Sequence, residues 1–250
     1  RTTRTLTNLL PPSKAMQDEI FNPDRRTLVI SSMEAMPQGK TSRQTVKICF
    51  EGYELPLYLS AEVAANYHLG KGMRVPAAAA DEMIFENEKS KAMQRALYLL
   101  DGRDYSYVEM YTKLSASYAD EICAFVMDKL TSGGQINDSR YASALAESLC
   151  LKKGYGAYRA RLELKRRGIP DEVIDDALSE YRDDTSERAA AVIRRKYRSC
   201  LGDEKGMRRL KAALARLGYS YSDIKNAIRA VLDEMPQEFS DADEYDDYEY

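Results

Sequence analysis

The sequence predicts a mainly α-helical protein: three tandem copies of a three-helix repeat forming an elongated array, preceded by a small β-rich N-terminal unit. Three observations carry that prediction. Short runs rich in β-branched and aromatic residues occur only before Pro76, in the composition of strands. After Pro76 the apolar residues recur at helical spacing. Within that part, LELKRRGIPDEVIDDALSEY returns as LKAALARLGYSYSDIKNAIRAVL, with corresponding residues 50 positions apart, which marks a repeat architecture.

Taken in order, residues 1–26 are polar, carry Pro11, Pro12 and Pro23 and show no sustained period, so a disordered segment is expected. TLVISSME, TVKICF and YELPLYL read as three strands, the last two separated by Glu51-Gly52 at hairpin spacing. SAEVAANYHLG reads as a short helix with Ser60 as N-cap and Gly70 just past its end. This gives a β-rich unit over 27–88. AAAADEMIFENEKSKAMQRALYLL is a strong helix former that ends near Asp101-Gly102. The modules follow at 89–133, 138–182 and 185–233. Their first helices are expected at 89–100, 138–152 and 185–199, their second at 107–116, 157–167 and 204–217, and their third at 120–131, 171–182 and 221–233. Gly168 and Gly218 stand where a helix must stop and φ must become positive; the first copy has Ser117 instead. Asp138 and Ser186 are candidate N-caps. One short triplet buries little apolar surface alone, and tandem stacking solves that. Residues 234–250 read as an acidic disordered tail.

Composition excludes several classes. No run of about 18 apolar residues exists, so no membrane helix is expected. RTTRTLTNLL has no apolar signal region, and Cys49, Cys123, Cys150 and Cys200 are far apart; both point to a cytoplasmic protein with reduced thiols. The single histidine, His68, has no cysteine or carboxylate at ligand spacing. QGKTS at 38–42 imitates a phosphate loop, but Glu34 stands where its first glycine belongs and Pro37 removes a backbone donor. Gly154-Tyr155-Gly156 would need its third dinucleotide-binding glycine at Arg159, and a helix precedes it rather than a strand. No cofactor, metal or catalytic constellation emerges, and the expectation is a protein that is not an enzyme.

Charge carries the functional signal. The chain has a formal net charge of −3. From Asp233 onward nine acids and no base occur, so the rest is +6. KKGYGAYRARLELKRRG alone holds Lys152, Lys153, Arg159, Arg161, Lys165, Arg166 and Arg167 against Glu163. In 204–217, Met207, Leu210, Leu214 and Leu217 form one stripe, and Lys205, Arg208, Arg209 and Arg216 fall away from it. Arg159 and Arg166 share the outer face of the preceding copy. Arg194 and Arg195, with Lys196 and Arg198, add to the third copy. Such clustering, dominated by arginine, suits a polyanionic partner, DNA or an acidic protein surface. The acidic tail is expected either to fold back onto Arg159, Arg166 and Arg208 or to serve as a solubiliser.

Asp138-Ser-Arg140-Tyr141-Ala142, then Gly154-Tyr155-Gly156-x-x-Arg159, then Glu163-Leu164-x-x-x-Gly168-Ile169 closely resemble the middle of the RecX family. Ala96-Leu97-x-Leu99-Leu100 followed by Leu114 is similar to that family's first module. The resemblance covers roughly residues 90–232, and the β-rich unit looks like an extension some members carry. It implies a non-enzymatic regulator of the RecA recombinase in DNA repair, recombination and the SOS response. Such a protein lies in the groove of the RecA–DNA filament and suppresses filament growth, ATP hydrolysis and strand exchange. Arg140, Gly154 and Arg159 match motif positions. The expected partners are the RecA filament and single- or double-stranded DNA, bound by a monomer, with no membrane and no cofactor. Charge alone leaves an alternative open: a helical protein that binds DNA directly without a recombinase.

Overall fold

The structure, a computed structural model, describes residues 27–36 and 44–235. The segment 1–26, the QGKTS stretch and most of the acidic tail lie outside the described residues. The described residues divide into two compact units: those up to Arg103 together with Met110–Gln135, and Asp104–Glu109 together with those from Ile136 to Met235.

In the first unit, alternation dictates the strands. β1 (Thr27–Ala35) buries Leu28 and Ile30, and β2 (Thr45–Phe50) buries Ile48 and Phe50, the period-2 pattern of a sheet with one face on a core. β3 (Leu57–Ser60) and β4 (Arg74–Pro76) complete an antiparallel sheet of order β3-β2-β1-β4. The expected YELPLYL strand begins only at Leu57, and β4 was too short to leave a periodic signal. α1 (Ala61–Asn66) is capped by Ser60, whose Oγ accepts from the Val63 N–H. The left-handed residue beyond it is His68, φ 51°, not Gly70, because the helix stops earlier than the apolar pattern suggested.

α2 (Ala77–Gly102) is one unbroken helix. Its early residues Ala80 and Met83 join Leu28, Ile30, Ile48, Phe50 and Leu59 in the sheet's core. Later it packs against α4 (Asp120–Ser132). The boundary drawn between residues 88 and 89 therefore falls inside a helix that serves both the sheet and the first triplet. Buried Asn87 ties α2 to β3: its Oδ1 accepts from the Ser60 N–H at 2.8 Å and its Nδ2 donates to the Tyr58 carbonyl at 3.2 Å. Between α2 and α4 runs α3 (Tyr107–Ser115). It ends without glycine, the Ser117 and Tyr118 N–H groups both donating to the Leu114 carbonyl at 3.0 Å.

The second unit contains two full triplets. α5 (Asp138–Glu147) passes into a π-helical turn at Ser148–Lys152, followed by α6 (Ala157–Arg166) and α7 (Asp171–Ser179). α8 (Thr185–Val192) passes into a π turn at Ile193–Tyr197 and a 3₁₀ turn at Arg198–Gly202, followed by α9 (Glu204–Arg216) and α10 (Tyr221–Asp233). The residues matched across 50 positions become matched core: Leu164 and Leu214, Ile169 and Tyr219, Ile174 and Ile224, and Leu178 and Ile228 are all buried. Gly168 and Gly218 take φ of 74° and 90°, closing the second helix of each copy as its αL cap. The N-caps differ from expectation. Asn137 caps α5, its Oδ1 accepting from the Arg140 N–H at 2.9 Å. Asp138 instead accepts from the Tyr107 N–H at 2.8 Å. α8 starts after Asp184, and Ser186 donates toward Asp223 at 3.4 Å.

One joint recurs with the repeat. The Ser106 hydroxyl donates to the Arg167 carbonyl, and 50 residues later the Gly156 N–H donates to the Leu217 carbonyl at 2.8 Å. A Cβ on Gly168 would meet Val108 at 2.4 Å, and one on Gly156 would meet the Gly218 carbonyl at 2.3 Å. The start of one copy's second helix thus sits on the glycine turn of the next copy.

Candidate polyanion-binding surface

The structure sorts the cations into those already paired and those presented outward. On α6, Arg159 and Arg166 share the Glu163 Oε1 at 3.2 and 3.1 Å. Arg159 also lies 5.4 Å from the Tyr155 ring centroid. Arg161 pairs with Asp171 at 3.4 Å and with Asp175, and Lys165 reaches Asp171 at 2.8 Å. The hydrogen bond from Lys165, with Arg161 beside it, holds the Asp171 carboxyl below the usual carboxylate range. Arg167, its side chain still 40% exposed, bonds Glu109 at 3.0 Å and the Tyr141 hydroxyl at 2.9 Å. Its guanidinium is thus paired within the fold, like Arg161 and Lys165 among the cations that the sequence grouped together.

Arg140 stands exposed in the first turn of α5. Lys152 and Lys153 are exposed where the π turn ends, the latter's ammonium 5.9 Å from the Tyr155 ring. Gly154 and Gly156 belong to the inter-copy joint. Gly154 has φ 68°, and its carbonyl accepts from the buried Tyr219 hydroxyl at 3.0 Å. Burial raises that phenol to about 12, as loss of solvent disfavours the phenolate.

The third copy behaves differently. α9 buries Leu210, Ala213 and Leu214. A rotation of about 100° per residue then places Lys205, Arg209 and Arg216 in one row, roughly 110° round from the buried stripe, with Arg208 about 60° past Lys205. All four are exposed. Arg208 reaches Glu204 at 3.4 Å, with both side chains largely in solvent. The other three make no ion pair with a described residue, and neither do Arg195, Lys196, Arg198 and Lys211. Arg194 is held by Glu187 at 2.8 Å and Glu234 at 2.6 Å. Lys211, which the sequence pattern did not single out, is exposed about 140° round α9 from the row.

Chemistry-bearing groups are sparse. Among the described residues no three His, Cys, Asp or Glu side chains gather to hold a metal ion. Cys123 and Cys150 are buried and unlinked, with burial raising both thiols. No helix of the described residues is long and apolar enough to cross a membrane.

Fold and surface together define a helical-repeat protein with a small sheet and an outward cationic face. Models of the second and third three-helix domains of RecX match residues 137–178 and 183–228. The Regulatory protein RecX of Trichlorobacter lovleyi is 34% identical over 143 residues, 55% of this chain and 93% of that protein. Its namesake in Mycolicibacterium vanbaalenii is 34% identical over 166 residues, 62% and 89% of the two chains. Two crystal structures share the fold. A regulatory protein RecX superposes with TM-score 0.60 and 21% identity over 82% of this chain and 99% of its own. RecX from Lactobacillus salivarius gives 0.55 and 24% over 60% and 99%. The chain belongs to the RecX family of regulatory proteins.

Proposed function

We propose that the protein is a non-enzymatic regulator that binds the RecA–DNA filament and inhibits RecA: filament extension, ATP hydrolysis and strand exchange. It thereby modulates recombination and repair. Family membership supports the class of function. The observation that carries the physical side is the row Lys205, Arg209 and Arg216 with Arg195, Lys196 and Arg198 nearby in sequence, all exposed and in no ion pair with a described residue. Such a row suits a groove lined by phosphates and acidic side chains. Arg140, Lys152 and Lys153 extend the binding set into the second copy. Arg159, Arg161, Lys165 and Arg166 join it by exchanging an internal carboxylate for an external one. Each exposed contact is worth little, on the order of 1 kcal/mol or less, and a tandem array adds them.

The test uses purified protein, RecA and single-stranded DNA. The ATPase rate and the mean filament length should both fall at stoichiometric protein. Unchanged values would overturn the reading. Equal affinity for bare DNA and for the filament would favour direct DNA binding instead.

A further inference from the structure

Residues 194–216 hold nine bases and two acids. In α6 the neighbouring acids Glu163, Asp171 and Asp175 answer the cations within the fold. In the third copy only Arg194 and Arg208 reach described carboxylates. Uncompensated charge of this density attracts counter-charge. The chain itself supplies it: residues 236–250 hold Glu238, Asp241, Asp243, Glu244, Asp246, Asp247 and Glu249 and no base. Seven negative charges stand against a net seven positive.

The point where this segment departs is also set. Arg194 grips Glu234 with two nitrogens, at 3.0 and 2.6 Å. That hydrogen bonding, with the field of Arg198 added, holds the Glu234 carboxyl below its usual range. The acidic stretch therefore begins beside Arg194–Arg198. Fifteen residues reach roughly 50 Å when extended, and α9 is only about 20 Å long. A ligand tethered that closely acts at an effective concentration on the order of millimolar, so weak ionic contacts suffice.

We infer that residues 236–250 are an intramolecular ligand of the third copy's cationic face, contacting Arg195, Lys196, Arg198 and the Lys205–Arg209–Arg216 row. Arg159 and Arg166, which share Glu163, are not its targets. That a polyanionic partner must displace this segment rests on the function proposed above; the intramolecular contact itself does not.

The experiment measures the contact alone. A fluorescent peptide of residues 236–250 is titrated at low salt against the full chain and against a full chain with those seven acids changed to Asn or Gln. The neutralised chain should bind the peptide at least tenfold more tightly, because no tethered segment competes for its face. Adding Arg195→Glu, Arg209→Glu and Arg216→Glu should remove that binding, and Lys71→Glu, an exposed cation of the first unit, should not. Equal peptide affinity for natural and neutralised chains, or binding insensitive to the three reversals, would overturn the inference. So would a natural chain that sediments as a dimer while the neutralised chain does not, since the segment would then serve a second copy. None of these readouts contains RecA, so a failure here is separate from a failure of the proposed function.

Discussion

At the scale of single residues, the glycines and Tyr219 of the inter-copy joint have the sharpest consequences. A Cβ on Gly156 would lie 2.3 Å from the Gly218 carbonyl oxygen and 2.7 Å from the Tyr219 nitrogen. Both are backbone atoms, so no rotamer change relieves the contact. Gly156→Ala should destabilise the protein by roughly 3 kcal/mol, as overpacking against rigid structure does, read as a lower denaturation midpoint. Tyr219→Phe removes the hydroxyl that donates to the Gly154 carbonyl and should cost about 1 kcal/mol near pH 8. The phenol titrates near 10 when unfolded and is pushed up to about 12 in the fold by burial. Its stabilising contribution is therefore complete below about pH 10 and is lost as pH rises toward 12. Urea midpoints of the natural chain and Tyr219→Phe should converge across that window. A gap that does not change with pH would contradict the assignment.

At the scale of elements, Asn87 shows how one side chain makes α2 serve the sheet. Asn87→Ala would leave the Ser60 N–H and the Tyr58 carbonyl without their partner. A cost of about 2 kcal/mol is expected, with faster hydrogen exchange at the Ser60 amide. Exchange unchanged there would mean that α2 is held to β3 by packing alone. Elements also show what was readable in the sequence. The 50-residue correspondence revealed the helices of the second and third copies, because matched core residues recur there without interruption. The run that becomes α2 is legible as helix, but its alanine-rich start has no apolar stripe to mark which surface it covers, so the unit boundary expected at 88/89 cuts through it. The π turns after α5 and α8 look like plain helix in sequence. The Asn137 cap was misassigned by one position because Asn and Asp adjoin there and both side chains accept from backbone N–H groups. The cation pairings were hidden for another reason. Arg167 finds Glu109 58 residues away, and Arg161 finds Asp175 on the next helix, distances over which local periodicity carries no information.

At the scale of the whole molecule, charge arrangement rather than charge count decides which surface is open to a polyanion. The sequence pointed first to 152–168, the most basic short stretch, but much of that charge is answered inside the fold. The row on α9 is less conspicuous in sequence and more available in space. A cation that already holds a carboxylate releases little when it meets a phosphate, since one ion pair replaces another. A cation with only water and counterions around it releases those counterions, and the affinity then falls as salt rises. In a chain whose seven acids in 236–250 are already changed to Asn or Gln, so that nothing of its own covers the row, changing Lys205, Arg209 and Arg216 together to Gln should therefore flatten the dependence of log affinity on log salt by about 3, near one for each phosphate left without its cation. Neutralising Arg159 and Arg166 to Gln should flatten it by less than about 1 in total, by the same counterion argument. Both slopes can be measured on the RecA filament between about 50 and 200 mM salt, the range over which such ionic binding weakens most visibly. If the α6 pair changed the slope as much per residue as the α9 row, internal pairing would not be what distinguishes the two helices, and the binding face would extend evenly across both copies.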